Sequence, residues 1–462
     1  MPTVPQHCAL AATLKARRDR LAALIQVPVL LWSGQRLSRN FPANTYSFRA
    51  SSHFLYFAGL SLENAVIRLE AGNLQLFMDD ASPARMLWHG ATPSRDQLAE
   101  QMGADAAYPL DMVQDWTANA ATIAAPDLAT QHLQAHLLQR PVTPAHAPQG
   151  VDADLSQAIV QVRLQHDASA IADIRSAAAV SMQAHLAGMQ ASRTATVEAQ
   201  VRAAMEQVIL AHDMTCAYGS IVTVHGEVLH NEAYHHAIGP SDLILADVGA
   251  EMATGWASDI TRTWPARGVF SPSQRALYDV VLEAHDRCIA AIHPGVEYQA
   301  IHLLGCQTIA AGLVDLGILK GRPEDLVEQD AHALFFPHGI GHLLGLDVHD
   351  MEDLGDLAGY APGRTRSDRF GLGYLRLHRP LLTGMVVTIE PGFYQVPTLL
   401  NDPERQTRYA NQVNWERLAE FSDVRGIRIE DDVLVTETGC EVLTEALPAQ
   451  AEAIAQLIIG AA

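Results

Sequence analysis

Four carboxylates and one imidazole stand in local patterns that suit metal ligands. Asp247 ends an apolar run, and Asp259 follows twelve residues later. His342 closes a glycine-rich run, while Glu390 and Glu430 each punctuate a β-type apolar stretch. Oxygen-rich ligand sets of this kind bind hard or borderline divalent cations, which can turn water into a nucleophile near neutral pH. The five residues therefore predict a metal centre.

The first pair, Asp247 and Asp259, flanks one predicted hairpin whose strands are otherwise apolar. Most charged residues in proteins are exposed, so a solvated hairpin end is the ordinary alternative. A buried aspartate, in contrast, is costly unless it is paired or bound to a metal. Because both carboxylates would reach the same end of the apolar core, the pattern favours metal ligands.

Three histidines, His338, His342 and His349, follow one another at spacings of four and seven residues, with glycines between them. A lone histidine on an apolar face is usually structural. Glycines, however, let the backbone approach a cofactor or a second strand closely, which a packed core does not require. The run therefore predicts a functional segment.

Glu390 and Glu430 each bring a charge to the inward face of a strand if the side chains alternate. Arg428 lies two residues before Glu430 and shares its face. A structural salt bridge would explain Arg428 without a role in the site. The strand periodicity leaves both interpretations of Arg428 open.

Charge balance predicts two metal ions rather than one. The four carboxylates carry four negative charges, which two divalent cations would neutralise. A single ion could not use all five groups and still keep an open position. Because oxygen ligands dominate, we expect Mn²⁺, with Zn²⁺ or Co²⁺ as alternatives.

The bulk composition excludes several classes of protein. The chain has 462 residues, enough for two or three domains, and a net charge of −21, which argues against a nucleic-acid partner. No run reaches the roughly 18 apolar residues of a membrane span, and basic residues interrupt any signal peptide. The cysteines are odd in number and form no CxxC pair, so we expect free thiols in the cytoplasm. They are Cys8, Cys216, Cys288, Cys306 and Cys440.

Residues 1–165 predict an N-terminal α/β domain. A hairpin turn at 70–73 joins the last two of its strand-like runs, and the proline-rich stretch 140–150 reads as a loop near a domain boundary. The strand-like runs are Val29–Trp32, Phe54–Phe57, Ala65–Leu69 and Leu74–Met78.

Residues 166–462 predict a second domain in which the order helix, helix, strands occurs twice. Ser271 and Gln274 form a capping box that begins the second repeat. We expect two structurally similar halves whose strands meet and place the ligands at a shared centre, two from the first half and three from the second. The insert 350–372 is rich in glycine and arginine and predicts a mobile loop beside the site.

Together these segments resemble the metal-binding motifs of the pita-bread metallopeptidases, in particular the proline-specific branch of Xaa-Pro aminopeptidases and Xaa-Pro dipeptidases (prolidases). The resemblance covers about 166–445 strongly. The N-terminal domain is similar to that of aminopeptidase P through 46–49 and 54–59. It implies an α/β (α+β) fold: an N-terminal α/β domain followed by a pseudo-two-fold pita-bread catalytic domain, 166–462.

The resemblance also implies a role for each site residue. Asp247 would bind one metal, His342 and Glu390 the other, and Asp259 and Glu430 both. His230 would touch substrate, His338 would line the proline subsite, His349 would hold the scissile carbonyl, Glu390 would carry a proton, and Arg428 would organise Glu430. The family hairpin usually separates its two aspartates by eleven residues; here Gly255 could absorb the extra residue in a turn or bulge.

The activity implied is hydrolysis of Xaa-Pro peptide bonds. Arg376, 14 residues before Glu390, resembles the prolidase arginine that binds a dipeptide carboxylate, so we expect a dipeptidase. The alternative is an Xaa-Pro aminopeptidase that acts on longer peptides with proline second, to which a stretch around Trp88 is weakly similar. A dimer or tetramer is expected.

Two alternatives compete with this interpretation. The first is a related enzyme: creatinase, which works without metal, or a methionine aminopeptidase, which normally lacks such an N-terminal domain. The other rival is a non-catalytic pita-bread module that binds peptides or proteins, but such proteins usually lose ligands and none is missing here.

Overall fold

The computed structural model describes residues 4–460, with side chains from residue 10 onward. The chain forms two compact units. The first extends to Leu164 and includes the short segment Met351–Ala358. The second comprises Gln165–Asp350 and Gly359–Ala462, of which the last two residues are outside the described part.

The first unit is built on a five-stranded mixed sheet in the order β6-β5-β4-β1-β7. Within it β4 pairs antiparallel with β1 and β5, while β6 and β7 add in parallel at the edges. Its elements are α1 (Val4–Leu24), β1 (Val29–Trp32), β2 (Ser38–Phe41), β3 (Asn44–Thr45), α2 (Ser52–Ala58), β4 (Val66–Glu70), β5 (Asn73–Phe77), α3 (Pro83–His89), α4 (Arg95–Met102), β6 (Ala106–Tyr108), β7 (Ala121–Thr122), α5 (Leu128–Leu138) and α6 (Val151–Arg163).

The β4–β5 hairpin confirms the predicted turn. Its two central residues, Ala71 and Gly72, both have positive φ angles, 48° and 80°. Positive φ at both central positions matches the right-handed twist of the flanking strands.

The strand predicted at Phe54–Phe57 is wrong, because these residues belong to helix α2. Every residue of α2 is buried, so the sequence shows neither strand alternation nor the helical period. Gly59 ends the helix with a φ of 67° and donates its N–H to Leu55 O.

The second unit begins with the long pair α7 and α8 and repeats that arrangement with α9 and α10. Its elements are α7 (Ala168–Ser192), α8 (Glu198–Ala211), β8 (Thr215–Cys216), β9 (Ile221–Thr223), β10 (Leu243–Asp247), β11 (Ala250–Glu251), β12 (Thr261–Pro265), α9 (Pro272–Ala290), α10 (Tyr298–Asp315), α11 (Pro323–Glu328), β13 (Val386–Ile389), β14 (Gly392–Tyr394), α13 (Pro397–Leu400), α14 (Pro403–Arg408), α15 (Trp415–Ala419), β15 (Gly426–Arg428), β16 (Asp431–Val435), β17 (Cys440–Val442) and α16 (Ala451–Gly460). The short helix α12 (Asp356–Gly359) belongs to the first unit except for its last residue.

The two predicted halves are visible in the sheets. The first half contributes the antiparallel sheet β12-β10-β9 and the second half contributes β13-β16-β17. The predicted capping box is present: Ser271 accepts from the Gln274 N–H and the Gln274 side chain accepts from the Ser271 N–H. A bridge between Thr261 and Glu430 joins the halves at their centre.

The hairpin between β10 and β12 keeps one register from end to end. Asp247 pairs with Thr261, and Gly255, with a φ of 91°, closes a three-residue connection of the G1-bulge type. Because Asp259 lies two residues before Thr261, it shares a strand face with Asp247. The hydrogen bonds towards the turn run from Val248 N to Ile260 O, Ser258 N to Ala250 O and Met252 N to Trp256 O.

The insert 350–372 is more ordered than a mobile loop. It contains the 3₁₀ turn Glu352–Leu354 and α12, and Met351, Leu354 and Ala358 are buried. Further along, Arg369 donates from Nε to Asp330 at 2.7 Å.

None of the described helices is long and apolar enough to cross a membrane. Four cysteines are free thiols: Cys216, Cys288, Cys306 and Cys440. The side chain of Cys8 lies outside the described residues.

We predict that Gly249→Ala destabilises the hairpin of β10 and β12, called the ligand hairpin below because it carries Asp247 and Asp259. A Cβ at Gly249 would lie 1.8 Å from Ser258 O, so the two backbone segments must separate. The expected loss in the free energy of unfolding is about 1–3 kcal/mol in urea denaturation. Gly439→Ala, where a Cβ would meet nothing within 4 Å, is the control. Equal denaturation midpoints for the two variants would contradict the prediction.

Candidate metal centre

Three of the five predicted ligands form one tight group. Asp259, His342 and Glu430 are buried, and they offer ligand atoms that all lie within 4.8 Å of one another. His342 Nε2 is 3.4 Å from Asp259 Oδ2 and 4.0 Å from Glu430 Oε1. Such separations suit groups that share an ion.

The sheet register explains why the ligands meet. Asp247 is opposite Thr261, and Thr261 is opposite Glu430. Continuing the β13–β16 ladder by one residue beyond Ile389 and Asp431 brings Glu390 opposite Glu430. Residues opposite each other in antiparallel strands share a face, so these side chains form one cross-strand row.

A second row runs beside the first. Asp259 donates its N–H to Asp432 Oδ1 at 3.1 Å, and Asp432 is opposite Thr388. His342 continues the row, because its carbonyl accepts from the Thr388 N–H at 3.0 Å. The five ligand candidates thus come from two adjacent rows on one face.

Asp247 and Glu390 flank the central group. Asp247 Oδ2 accepts from Arg428 Nη2 at 2.6 Å. Glu390 Oε1 lies 3.8 Å from His342 Nε2, and Glu390 Oε2 lies 3.6 Å from His338 Nδ1.

All ten predicted site residues line one cavity of about 520 Å³. These are the metal-ligand candidates Asp247, Asp259, His342, Glu390 and Glu430, together with His230, His338, His349, Arg376 and Arg428. The ring of His349 is 4.1 Å from that of His342, measured between centroids.

The buried carboxylates lack sufficient positive charge from the protein. Burial raises the pKa of Asp247, Asp259 and Glu430, and it raises the pKa of Glu390 to about 8. The nearest cation, Arg428, opposes this effect but does not cancel it. Without further cations Glu390 would hold a proton at neutral pH.

Two buried carboxylate oxygens, Asp247 Oδ1 and Glu430 Oε1, accept no hydrogen bond from any described residue. A buried oxygen without a partner is costly, and a metal ion would remove that cost. His342 Nδ1 lies 3.1 Å from Leu343 O, which orients Nε2 towards the carboxylates. The donor set therefore fits divalent cations.

Arg428 and Thr261 orient the carboxylates of Asp247 and Glu430 by hydrogen bonds. Thr261 donates its hydroxyl to Glu430 Oε2 at 2.7 Å and accepts from Arg428 Nε at 3.0 Å. Arg428 Nη1 also donates to the Tyr394 hydroxyl at 3.2 Å. Arg428 is thus part of the site rather than of a separate salt bridge.

The sequence reasoning missed several residues of the site. Thr261 could have been found, because it lies two residues after Asp259 on the same strand face. Tyr218, whose hydroxyl donates to Asp259 Oδ1 at 2.5 Å, carries no comparable signal. The missed cavity wall comprises Leu229, Pro337, Gly339, Gly341, Phe370, Tyr374, Val396, Thr398, Leu399 and Arg405.

Comparison with known proteins agrees with this geometry. The profile of metallopeptidase family M24 matches residues 172–437, and that of the aminopeptidase P N-terminal domain matches residues 14–126. A probable Xaa-Pro aminopeptidase of Fusarium vanettenii is 33 % identical over 86 % of this chain and 84 % of its own.

Solved structures are similar over almost the whole chain. The Pseudomonas aeruginosa aminopeptidase PepP has a TM-score of 0.79 and 30 % identity, over 97 % of this chain and 98 % of its own. Escherichia coli aminopeptidase P with the inhibitor Pro-Leu has a TM-score of 0.79 and 27 % identity, over the same shares. The N-terminal α/β plus pita-bread architecture is therefore confirmed.

We predict that Thr261→Val weakens metal binding without unfolding the protein. The substitution keeps the side-chain size but removes the hydroxyl that holds Glu430 and Arg428. Loss of such an orienting contact costs about 10- to 100-fold in metal affinity. Metal titration followed by calorimetry measures it. Thr308→Val, which removes a helical hydroxyl–carbonyl bond to Leu304 instead, should bind metal as the wild type does.

Proposed function

The chain belongs to metallopeptidase family M24, as a metal-dependent proline-specific peptidase of the aminopeptidase P type, and from this premise we propose that it is an Xaa-Pro aminopeptidase. It would cleave the bond between a peptide's first residue and a proline in second position. The observation that carries the proposal is the convergence of five metal-ligand candidates and a buried arginine on one cavity. A non-catalytic binding role is disfavoured, because all five metal-ligand candidates are present at the cavity.

We propose that the cavity holds two divalent cations. Asp247 would hold one, His342 and Glu390 the other, and Asp259 and Glu430 both. In support, the charge of four carboxylates at the cavity matches that of two divalent cations. Asp259 and Glu430 each direct one oxygen towards His342, because Tyr218 donates to Asp259 Oδ1 and Thr261 donates to Glu430 Oε2. The dominance of oxygen ligands favours Mn²⁺. When bound, such ions lower the pKa of water and polarise a peptide carbonyl.

Glu390 is suited to carry a proton in the reaction. Its carboxyl borders the cavity with 16 % of the side chain exposed, and Oε2 faces His338 rather than His342. From that position Oε2 can take a proton from the attacking water and deliver it to the proline nitrogen.

The histidines are suited to bind the substrate. His338 Nε2 lies 2.8 Å from the Tyr394 hydroxyl, which fixes its ring at the cavity wall beside the proposed proline subsite. The ring of His349 is tilted by 50° against the ring of His342, and His349 would donate to the scissile carbonyl oxygen. His230 lines the cavity and would contact the substrate from the segment between β9 and β10.

An Xaa-Pro dipeptidase is the second candidate, and it was the sequence expectation. The relatives named above favour the aminopeptidase instead. The observation that keeps the dipeptidase in view is Arg376, which lines the cavity and could bind a dipeptide carboxylate.

We also propose that the domains span residues 1–165 and 166–462.

The protein is further proposed to form a dimer or a tetramer. In support of an oligomer, α3 buries none of its residues, and Leu87 and Trp88 are 79 % and 80 % exposed. Analytical ultracentrifugation measures the assembly directly, and a monomer at micromolar concentration would contradict it.

We predict that Asp259→Ala abolishes cleavage of Xaa-Pro-Yaa peptides while the fold survives. The variant loses a carboxylate proposed to hold both ions, so metal content per chain should fall as well. Stripped wild-type enzyme should regain activity on addition of Mn²⁺. Elemental analysis and peptide hydrolysis measure both effects. Full activity of Asp259→Ala, or wild-type activity in the stripped protein, would refute the metal assignment.

We also predict that Arg376→Ala raises KM for Xaa-Pro dipeptides more than for Xaa-Pro-Yaa tripeptides. Only a dipeptide places its carboxylate on the proline itself. A lost charge-assisted hydrogen bond of about 1.5–3 kcal/mol corresponds to roughly a 10- to 150-fold increase. Steady-state kinetics on matched peptides measure it. Equal changes for both substrates would exclude a carboxylate role for Arg376.

A further inference from the structure

A second arginine, Arg405, lines the same cavity as the metal-ligand candidates. It lies on α14, which begins with the Asp402-Pro403 pair typical of helix starts. Asp402 caps the helix by accepting from the Glu404 N–H, and its other oxygen is 3.3 Å from Arg405 Nε. Asp402 therefore both begins the helix and orients the side chain of Arg405.

A second contact fixes the plane of the Arg405 guanidinium. Its central carbon lies 4.0 Å from the centroid of the Phe370 ring, which is also part of the cavity wall. Phe370 is held in turn, because the preceding residue, Arg369, is bound to Asp330. The guanidinium is thus oriented by an aromatic face and by a carboxylate at Nε.

The terminal nitrogens of Arg405 remain available. Neither Nη group donates a hydrogen bond to another residue in the described part of the chain, and 30 % of the side chain is exposed. An arginine held at Nε and on its face still presents two N–H groups side by side. That arrangement matches the two oxygens of a carboxylate.

Arg405 and Arg376 stand at different places in the cavity. The backbone N of Arg376 lies 3.5 Å from the position of a Cβ on Gly339, inside the run that carries His338 and His342. Arg405 lies instead between exposed neighbours on α14, against Phe370. By the position of its backbone, Arg376 is therefore the inner arginine of the cavity and Arg405 the outer one.

We propose that Arg405 is a specificity-determining residue that binds the C-terminal carboxylate of Xaa-Pro-Yaa tripeptides. This inference rests on the proposed function and deepens it. One added residue moves the carboxylate about 3.5 Å further along an extended chain, away from the proline. The inner arginine would then bind the carboxylate of dipeptides, and the outer one would bind the carboxylate of tripeptides.

The test compares three substrates: Ala-Pro, Ala-Pro-Ala and Ala-Pro-Ala amide. In the manganese-loaded full-length Arg405→Gln variant, kcat/KM for the tripeptide acid should fall about 10-fold or more, because a charge-assisted hydrogen bond is lost. The values for the amide and the dipeptide should stay within about twofold of wild type. Arg405→Lys, which keeps the charge but not the paired donors, should show an intermediate loss.

Arg408→Gln is the matched control, because Arg408 lies on the same helix, packs near Tyr409 and does not line the cavity. It should change none of the three rates. A loss in Arg405→Gln that is equal for acid and amide, or that falls on the dipeptide, overturns the inference. So does an unchanged tripeptide rate. If the wild type cleaves none of the three, the proposed function itself fails, which separates the two outcomes.

Discussion

The burial of negative charge around one cavity is the constraint on which the rest of the second unit depends. Four carboxylates share a cavity with one buried arginine, Arg428, and burial raises the pKa of each acid. Folding such a set is costly unless cations or protons neutralise it. The acids lie where the two halves of the unit meet, at the bridge between Thr261 and Glu430.

Strand register, rather than individual contacts, assembles the ligands. Every ligand on a strand occupies the same face, and the two cross-strand rows keep neighbouring side chains about 5 Å apart. A shift of one residue in any ladder would turn a ligand to the opposite face. The separation of twelve residues between Asp247 and Asp259 preserves that face, because the hairpin continues without a register change to the turn at Gly255.

Much of this arrangement could be predicted from the sequence because the acidic ligand candidates stand in or at the ends of apolar, strand-like runs and His342 closes a glycine-rich one. The strand Val29–Trp32, the paired halves and the ligand hairpin follow from such local patterns. Helix α2 could not be predicted, since its complete burial removes any period. The outer cavity wall was also beyond local patterns, because Arg405 reaches Phe370 across 35 positions of chain. The dipeptidase expectation rested on Arg376, whose segment resembles that of the prolidases.

Arg428 links the charge constraint to the proposed chemistry. Its Nη2 group binds one oxygen of Asp247 and leaves the other, Oδ1, without a partner. Its Nε group binds Thr261, whose hydroxyl occupies Oε2 of Glu430 and leaves Oε1 without a partner. One buried guanidinium thus stabilises two acids and also directs their remaining oxygens to the same space. A neutral residue at this position could not supply the positive charge, so the arginine belongs to the candidate metal site together with the acids it orients.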